Sequence, residues 1–253
     1  MANNFWEKLN KPFFALAPMA DVTDAAFRRA IAKRAKPDVI FTEFVSADGL
    51  ALAPEEGKKK LLKLLEYSEE ERPIVAQFFT SNPEHMEKVA ALAAELKFDG
   101  VDINMGCPDK NIEKQGAGAA LLKNSKLARE LIRAAKKGAP NLPVSIKTRL
   151  GWNSPELETW LPEILKEKPA AVTIHARTRK EMSKVPARWE FIKRAVEIRN
   201  NIQSELVQNQ HTLILGNGDV KNLDEARRRV TETDCDGVMI GRGALNDPLL
   251  FAI

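Results

Sequence analysis

Cys107 stands between Gly106 and Pro108 in the polar segment NMGCPDK. Glycine and proline on either side mark a tight turn that exposes the thiol. Such a thiol can work as a nucleophilic thiolate or as a neutral proton donor. Cys235, in TDCDG, precedes an apolar run and reads as inert packing. The two cysteines have neither zinc-ligand nor CxxC spacing, so they read as free thiols with no metal site implied. Lys147 interrupts the apolar, β-branched run VSIKTRL. A lysine there needs a partner, which a phosphate, a carboxylate or an electron-rich ring would supply, and a desolvated amine could also form a Schiff base. His175 in VTIHARTR is either an acid–base group or a satisfied strand-end histidine. Asn217-Gly218-Asp219 and Gly241-Arg242-Gly243 are small-residue loops whose N–H groups can approach an anion, with Arg242 adding a bidentate contact. Ordinary turns use the same residues.

The elements that must position these groups are legible as an alternation. Short apolar runs alternate with amphipathic stretches along the chain. FFALAP (13–18), DVIFTEF (38–44), IVAQFF (74–79), GVDINM (100–105), VSIKTRL (144–150), AVTIHAR (171–177), TLILGNG (212–218) and GVMIGR, which ends at Arg242, read as strands. Helices are expected near 24–35, 57–66, 83–97, 124–138, 156–167, 188–200 and 222–232, with Asp24 as an N-cap and Gly138 as a C-cap. Eight buried strands separated by helices predict an α/β fold, a (β/α)8 TIM barrel, although an open doubly wound sheet has the same periodicity. In such a barrel the C-terminal strand ends carry function. In order they read Pro18-Met19, Glu43, Gln77, Asn104 with Cys107, Lys147, His175, Asn217 and Gly241-Arg242. The two anion loops follow the last two strands, where barrels of this kind build phosphate sites. After the eighth strand only ALNDPLLFAI remains, so either a fragment or an unusual closure is expected.

Composition narrows the class less than the motifs do. The 253 residues carry 39 basic and 35 acidic side chains, net +4, which tolerates a nucleic-acid partner without naming one. Clusters such as Arg227, Arg228 and Arg229 read as solvated helix faces. No apolar run approaches the roughly 18–20 residues needed to cross a bilayer, and the first residues lack a signal-peptide layout. A cytoplasmic protein with no membrane partner is expected.

The segments ALAPMADVTDAAFRR, VAQFF, GVDINMGCPDKNIEKQGAGAALL, VSIKTRLGW, VTIHARTR, GNGDV and GVMIGRG resemble the tRNA-dihydrouridine synthases, in order from about residue 13 onward. INMGCP followed by the glycine-rich GAGAALL is the most specific of them. The resemblance implies a flavin-binding barrel that reduces the C5–C6 double bond of particular uridines in tRNA, with NADPH recharging FMN. It implies that Pro18, Met19 and Ala20 line the isoalloxazine and that Gln77 hydrogen-bonds its pyrimidine edge. Lys147 would sit near N1 and O2, where its charge favours the reduced ring, and His175 would contact the flavin. Asn217, Gly218, Asp219, Gly241 and Arg242 would hold the ribityl phosphate. On the substrate side it implies Asn104 at the uracil edge, Arg177 beside the substrate, and Cys107 giving a proton to C5 opposite the hydride, which requires a protonated thiol.

Two departures from the family pattern qualify this. Family members usually continue into a helical tRNA-gripping domain, so residues 1–253 are expected to be the catalytic barrel alone, as a monomer, with that domain missing. The segment KEMSKVPARW also lacks the Tyr-Gly pattern of many members, and its Lys180, Lys184 and Arg188 either contact RNA or are solvated. Three other readings stay open: an FMN barrel acting on a small molecule such as a dihydropyrimidine, a non-catalytic RNA-binding barrel, and a Schiff-base aldolase on Lys147.

Overall fold

The computed structural model describes residues 4–204 and 211–252. Eight parallel strands form a closed barrel in sequence order: β1 (Phe13–Leu16), β2 (Val39–Ser46), β3 (Ile74–Phe79), β4 (Gly100–Asn104), β5 (Val144–Arg149), β6 (Ala171–His175), β7 (Leu213–Asn217) and β8 (Gly237–Ile240). The open sheet is excluded, because β1 pairs with β8 from Phe13↔Gly237 to Leu16↔Ile240. That closure is ordinary parallel pairing, with nothing unusual about it.

The helices are α1 (Ala25–Arg34), α2 (Ala47–Leu52), α3 (Glu55–Lys63), α4 (Pro83–Glu95), α5 (Lys110–Lys114), α6 (Ser125–Gly138), α7 (Leu157–Leu165), α8 (Glu190–Ile202), α9 (Leu223–Thr233) and α10 (Arg242–Asn246). Asp24 caps α1 by accepting from the Phe27 N–H, as its position at the head of AAFRRAIAKR requires. The periodic stretch expected at 57–66 starts earlier, at Glu55 behind Pro54, and a short α2 capped by Ser46 precedes it. Such short helices as α2, α5 and α10 hold too few turns to show a period.

Strand alternation divides the barrel interior into two levels. Because successive side chains point to opposite faces, the inward residues repeat every second position. In the lower level, Trp6 from the turn before β1 packs with Phe13, Phe41, Val75, Leu213, Leu215 and Met239. Above them the inward positions become polar, with Gln77 opposite Asp102, Asp102 opposite Ser145, Asn104 opposite Lys147, and His175 opposite both Arg149 and Asn217. The outward faces of the strands pack against the helices in a continuous apolar shell. The site is therefore the polar upper level of a barrel whose floor is sealed.

Candidate active site

The thiol turn is built from β4 upward. Asn104 ends the strand, and its side-chain oxygen accepts from the backbone N–H groups of Gly106 (3.1 Å) and Cys107 (2.9 Å). From β5, Arg149 Nε donates to the Gly106 carbonyl at 2.7 Å. Beneath the turn, Ala119 N donates to the Cys107 carbonyl at 2.9 Å. Gly118 sits there at φ +59°, and a Cβ on it would lie 2.8 Å from that carbonyl. This close approach and the positive φ explain Gly118, the second glycine of GAGAALL. Burial raises the Cys107 pKa against the lowering pull of the Asp109 N–H, Arg149 and Lys147. Of the two roles open to this thiol, the neutral acid is the one its surroundings favour.

Lys147 rises from β5 with its ammonium 3.2 Å from Asn217 Oδ1. Burial lowers its pKa to about 8; neighbouring Arg149 adds to the fall, while Asp102 and Cys107 oppose it. Below it, fully buried Asp102 accepts from Gln77 Nε2 and Ser145 Oγ, both at 2.6 Å. Burial raises Asp102 to about 6 despite those two bonds and the Lys147 charge. Asp102, Ser145 and Arg149 were not read as site residues from sequence. The available signal was an acidic residue two positions before Asn104, on the same face of an otherwise apolar strand.

The other side of the mouth is a polar cradle. A cavity is lined by Pro18, Met19, Lys147, His175 and the loops at 217–219 and 241–242. Asn217 donates to the Met239 carbonyl (2.8 Å) and so joins β7 to β8. Asp219 accepts from Arg177, from Arg242 (2.9 Å) and from Ala187 N (2.9 Å). Burial pushes the Asp219 pKa up, but Arg177, the Ala187 N–H and Arg242 bring it below its usual range. Arg177 Nη1 lies 3.0 Å from His175 Nε2. A guanidinium only donates, so Nε2 is the acceptor and the ring proton is on Nδ1. Burial, followed by the charges of Lys147, Arg149, Arg177 and Arg242, holds His175 well below its ordinary pKa, and it is neutral.

The loop carrying Met19 is held from two sides. Thr23 Oγ1 accepts from Met19 N at 2.9 Å, and Glu43, inside β2, accepts from Asp21 N at 2.5 Å. Behind it the fully buried Arg28 bonds the Thr23 carbonyl (2.8 Å) and Glu71 (2.8 Å). Three sequence-designated residues lie outside the cavities. Ala20 is exposed and lines neither of them, Gln77 is fully buried beneath the mouth, and Arg177 is buried with its bonds directed to His175, Asp219 and the Val185 carbonyl. The Lys-rich segment after β6 is tied down by Arg149, which donates to the carbonyls of Thr178 (3.2 Å) and Met182 (3.0 Å). Arg188 there pairs with Glu181 at 2.8 Å.

A second cavity, lined by Phe44, Asn104, Cys107 and Arg149, adjoins the first, and the two share Pro18, Lys147 and His175. A cradle carrying Lys147 and Arg242 and a thiol held neutral by burial thus open on a single mouth. The sequence model of the family described as dihydrouridine synthase (Dus) matches residues 15–253. The chain belongs to the dihydrouridine synthase family. Among curated relatives, the probable tRNA-dihydrouridine synthase 2 of Bacillus subtilis (strain 168) is 42% identical over 252 residues, covering 99% of this chain and 74% of that protein. The probable tRNA-dihydrouridine synthase of Staphylococcus aureus (strain COL) is 41% identical with the same coverage. Solved structures share the fold at much lower identity. Morphinone reductase in complex with tetrahydroNAD aligns with a TM-score of 0.60 at 14% identity, covering 97% of this chain and 87% of its own. A variant of NCR from Zymomonas mobilis aligns at 0.59 and 14%, covering 93% and 83%. In this dihydrouridine synthase family member, INMGCP is the thiol turn and GAGAALL is the layer packed beneath it.

Proposed function

We propose that the chain reduces the C5–C6 double bond of uridines in tRNA, with bound FMN as the hydride carrier and NADPH as the reductant. The observation that carries this reading is the pair of adjoining cavities, an anion cradle and a thiol chamber, sharing Pro18, Lys147 and His175.

The residues of the cradle fit FMN. A Cβ on Gly241 would lie 3.2 Å from Met19 Sδ and 3.5 Å from Ala17 Cβ, filling the space that these residues line. The charged donors on the cradle, Lys147 and Arg242, suit a phosphate and an electron-rich ring edge. Asn217, Gly218, Asp219, Gly241 and Arg242 would hold the phosphate, and Pro18, Met19, Lys147 and His175 the ring. When bound, FMN supplies the hydride that C6 of the base receives.

The chain's own groups do the rest. Asn104 lines the chamber and would orient the base. The Cys107 thiol gives its proton to C5, forming the C–H bond and leaving a thiolate. Lys147 and Arg149 lower the cost of that negative charge until water reprotonates the sulfur. A uridine can reach this mouth only when unstacked, which RNA loops permit at low cost. Arg177 acts behind the site, keeping His175 in its Nδ1–H form. The test is nucleoside mass spectrometry of undermodified tRNA incubated with the chain, FMN and NADPH. Dihydrouridine is expected, and its absence from a flavin-loaded, NADPH-reducible sample would overturn the proposal.

A further inference from the structure

We propose that Asp102 is a positioning residue that sets the direction of the Gln77 and Asn104 side-chain amides and, through them, the turn holding Cys107. A single file of hydrogen bonds runs up the barrel from it. Asp102 accepts from Ser145 Oγ (2.6 Å) and Gln77 Nε2 (2.6 Å), and Gln77 Oε1 accepts from Asn104 Nδ2 (3.1 Å). Asn104 Oδ1 then accepts from Cys107 N (2.9 Å) and Gly106 N (3.1 Å). Asp102 and Gln77 have no exposed surface, Ser145 has 2% and Asn104 5%.

Burial removes water as an alternative partner, so each group must be satisfied within the file. A side-chain amide can face a neighbour with either end, and nothing in Gln77 itself selects one. A carboxylate selects, because it only accepts. With the Gln77 NH2 turned to Asp102, its oxygen must face Asn104, and Asn104 must answer with its own NH2. The Asn104 oxygen is thereby committed to the Cys107 turn. Reversing either amide would set oxygen against oxygen at one end of the file and N–H against N–H at the other, a cost that burial magnifies. Asp102 remains ionised at neutral pH even though burial raises it to about 6, since two donated bonds and the Lys147 charge oppose the rise.

What Asn104 has left for the chamber is then an N–H, which pairs with a ring carbonyl and opposes an exocyclic amino group. That consequence rests on the proposed reaction, whereas the file of bonds does not.

The test therefore reads the turn without flavin or tRNA. In flavin-free chain, alkylation of Cys107 by iodoacetamide is followed by peptide mass spectrometry at pH 8. In Asp102→Asn the lower end of the file no longer demands a donor, the direction rests on the two backbone N–H groups of the turn alone, and alkylation should quicken at least about fivefold, the effect of one lost net hydrogen bond. The double variant Asp102→Asn with Gln77→Glu moves the acceptor-only group one step up the file. Asn104 keeps its direction, and alkylation should return to within about twofold of the original rate. An unchanged rate in Asp102→Asn, or a double variant as fast as the single one, overturns the proposal. Should Asp102→Asn fail to fold, the unaltered chain decides. By NMR its Gln77 and Asn104 side-chain amide protons should exchange with solvent at least about tenfold slower than those of an exposed asparagine, and absence of that protection overturns the proposal. Dihydrouridine formation, measured separately, tests the reaction itself, so the two failures can be told apart.

Discussion

Cys107 sits between opposed influences, burial raising its pKa and the charges of Arg149 and Lys147 lowering it. A thiol kept neutral is poised to give a proton but slow to attack carbon, so its removal should abolish one step only. Cys107→Ala is expected to bind FMN and oxidise NADPH as the parent does, while dihydrouridine formation falls by about 10²–10⁴-fold, the range for a lost general acid. Stopped-flow flavin bleaching and nucleoside analysis on the same sample check both halves, and full activity would remove the thiol from the mechanism. Lys147 gives a pH dependence. Its pKa is lowered to about 8, so its positive charge is present below that pH and is lost as pH rises through it. FMN affinity of the flavin-free chain should weaken above about pH 8, by at most about tenfold per pH unit, the slope set by loss of one proton. Lys147→Met should bind more weakly and show a flat profile over that range by fluorescence titration.

Elements place these groups because strand alternation and register leave little freedom. Gly216 in β7 shows the tolerance: a Cβ there would lie 2.1 Å from the Trp189 ring, whose indole N–H donates to the Gly218 carbonyl at 3.0 Å. Gly216→Ala should therefore lose about 1–3 kcal/mol of stability by overpacking. It should also weaken FMN binding by shifting the cradle, as checked by urea unfolding and titration. The same alternation made much of the fold legible in sequence. Strand β3 begins after Pro73 and spans the residues expected of it, because proline and the following apolar run both point to one boundary. Gln77, Asn104, Lys147, His175 and Asn217 stood out as polar residues ending apolar strands. Asp102 and Ser145 did not, since a polar residue inside a strand is informative only when its face is known, and closure of the barrel decides the face. Arg177 stood out by its place just after β6, and its guanidinium is engaged by Asp219 and His175, which themselves line the cradle.

Across the whole molecule, the barrel is an apolar floor beneath a polar, donor-rich mouth, and Asp102 is the anion at the boundary. Its position has a stability signature. The folded-state pKa of about 6 lies above the ordinary aspartate value of 3.8, so the folded chain binds a proton more tightly than the unfolded one. The stabilisation from that proton is complete below about pH 4 and is lost as pH rises through 6, a difference of about 3 kcal/mol for a shift of roughly two units. Carboxylates such as Asp219, held below their ordinary range, act in the opposite sense, so a single stability profile would mix the two. Subtracting the Asp102→Asn profile from that of the parent isolates the Asp102 contribution. Urea unfolding between pH 3 and 7 should show the parent losing stability relative to the variant as pH rises from about 4 to 6, and levelling off above 6. A purely structural carboxylate would give the reverse, a parent that gains on the variant as Asp102 ionises. The predicted sign means that the ionised carboxylate opposes folding at neutral pH, as expected of a group retained for the direction it imposes on the amides above it.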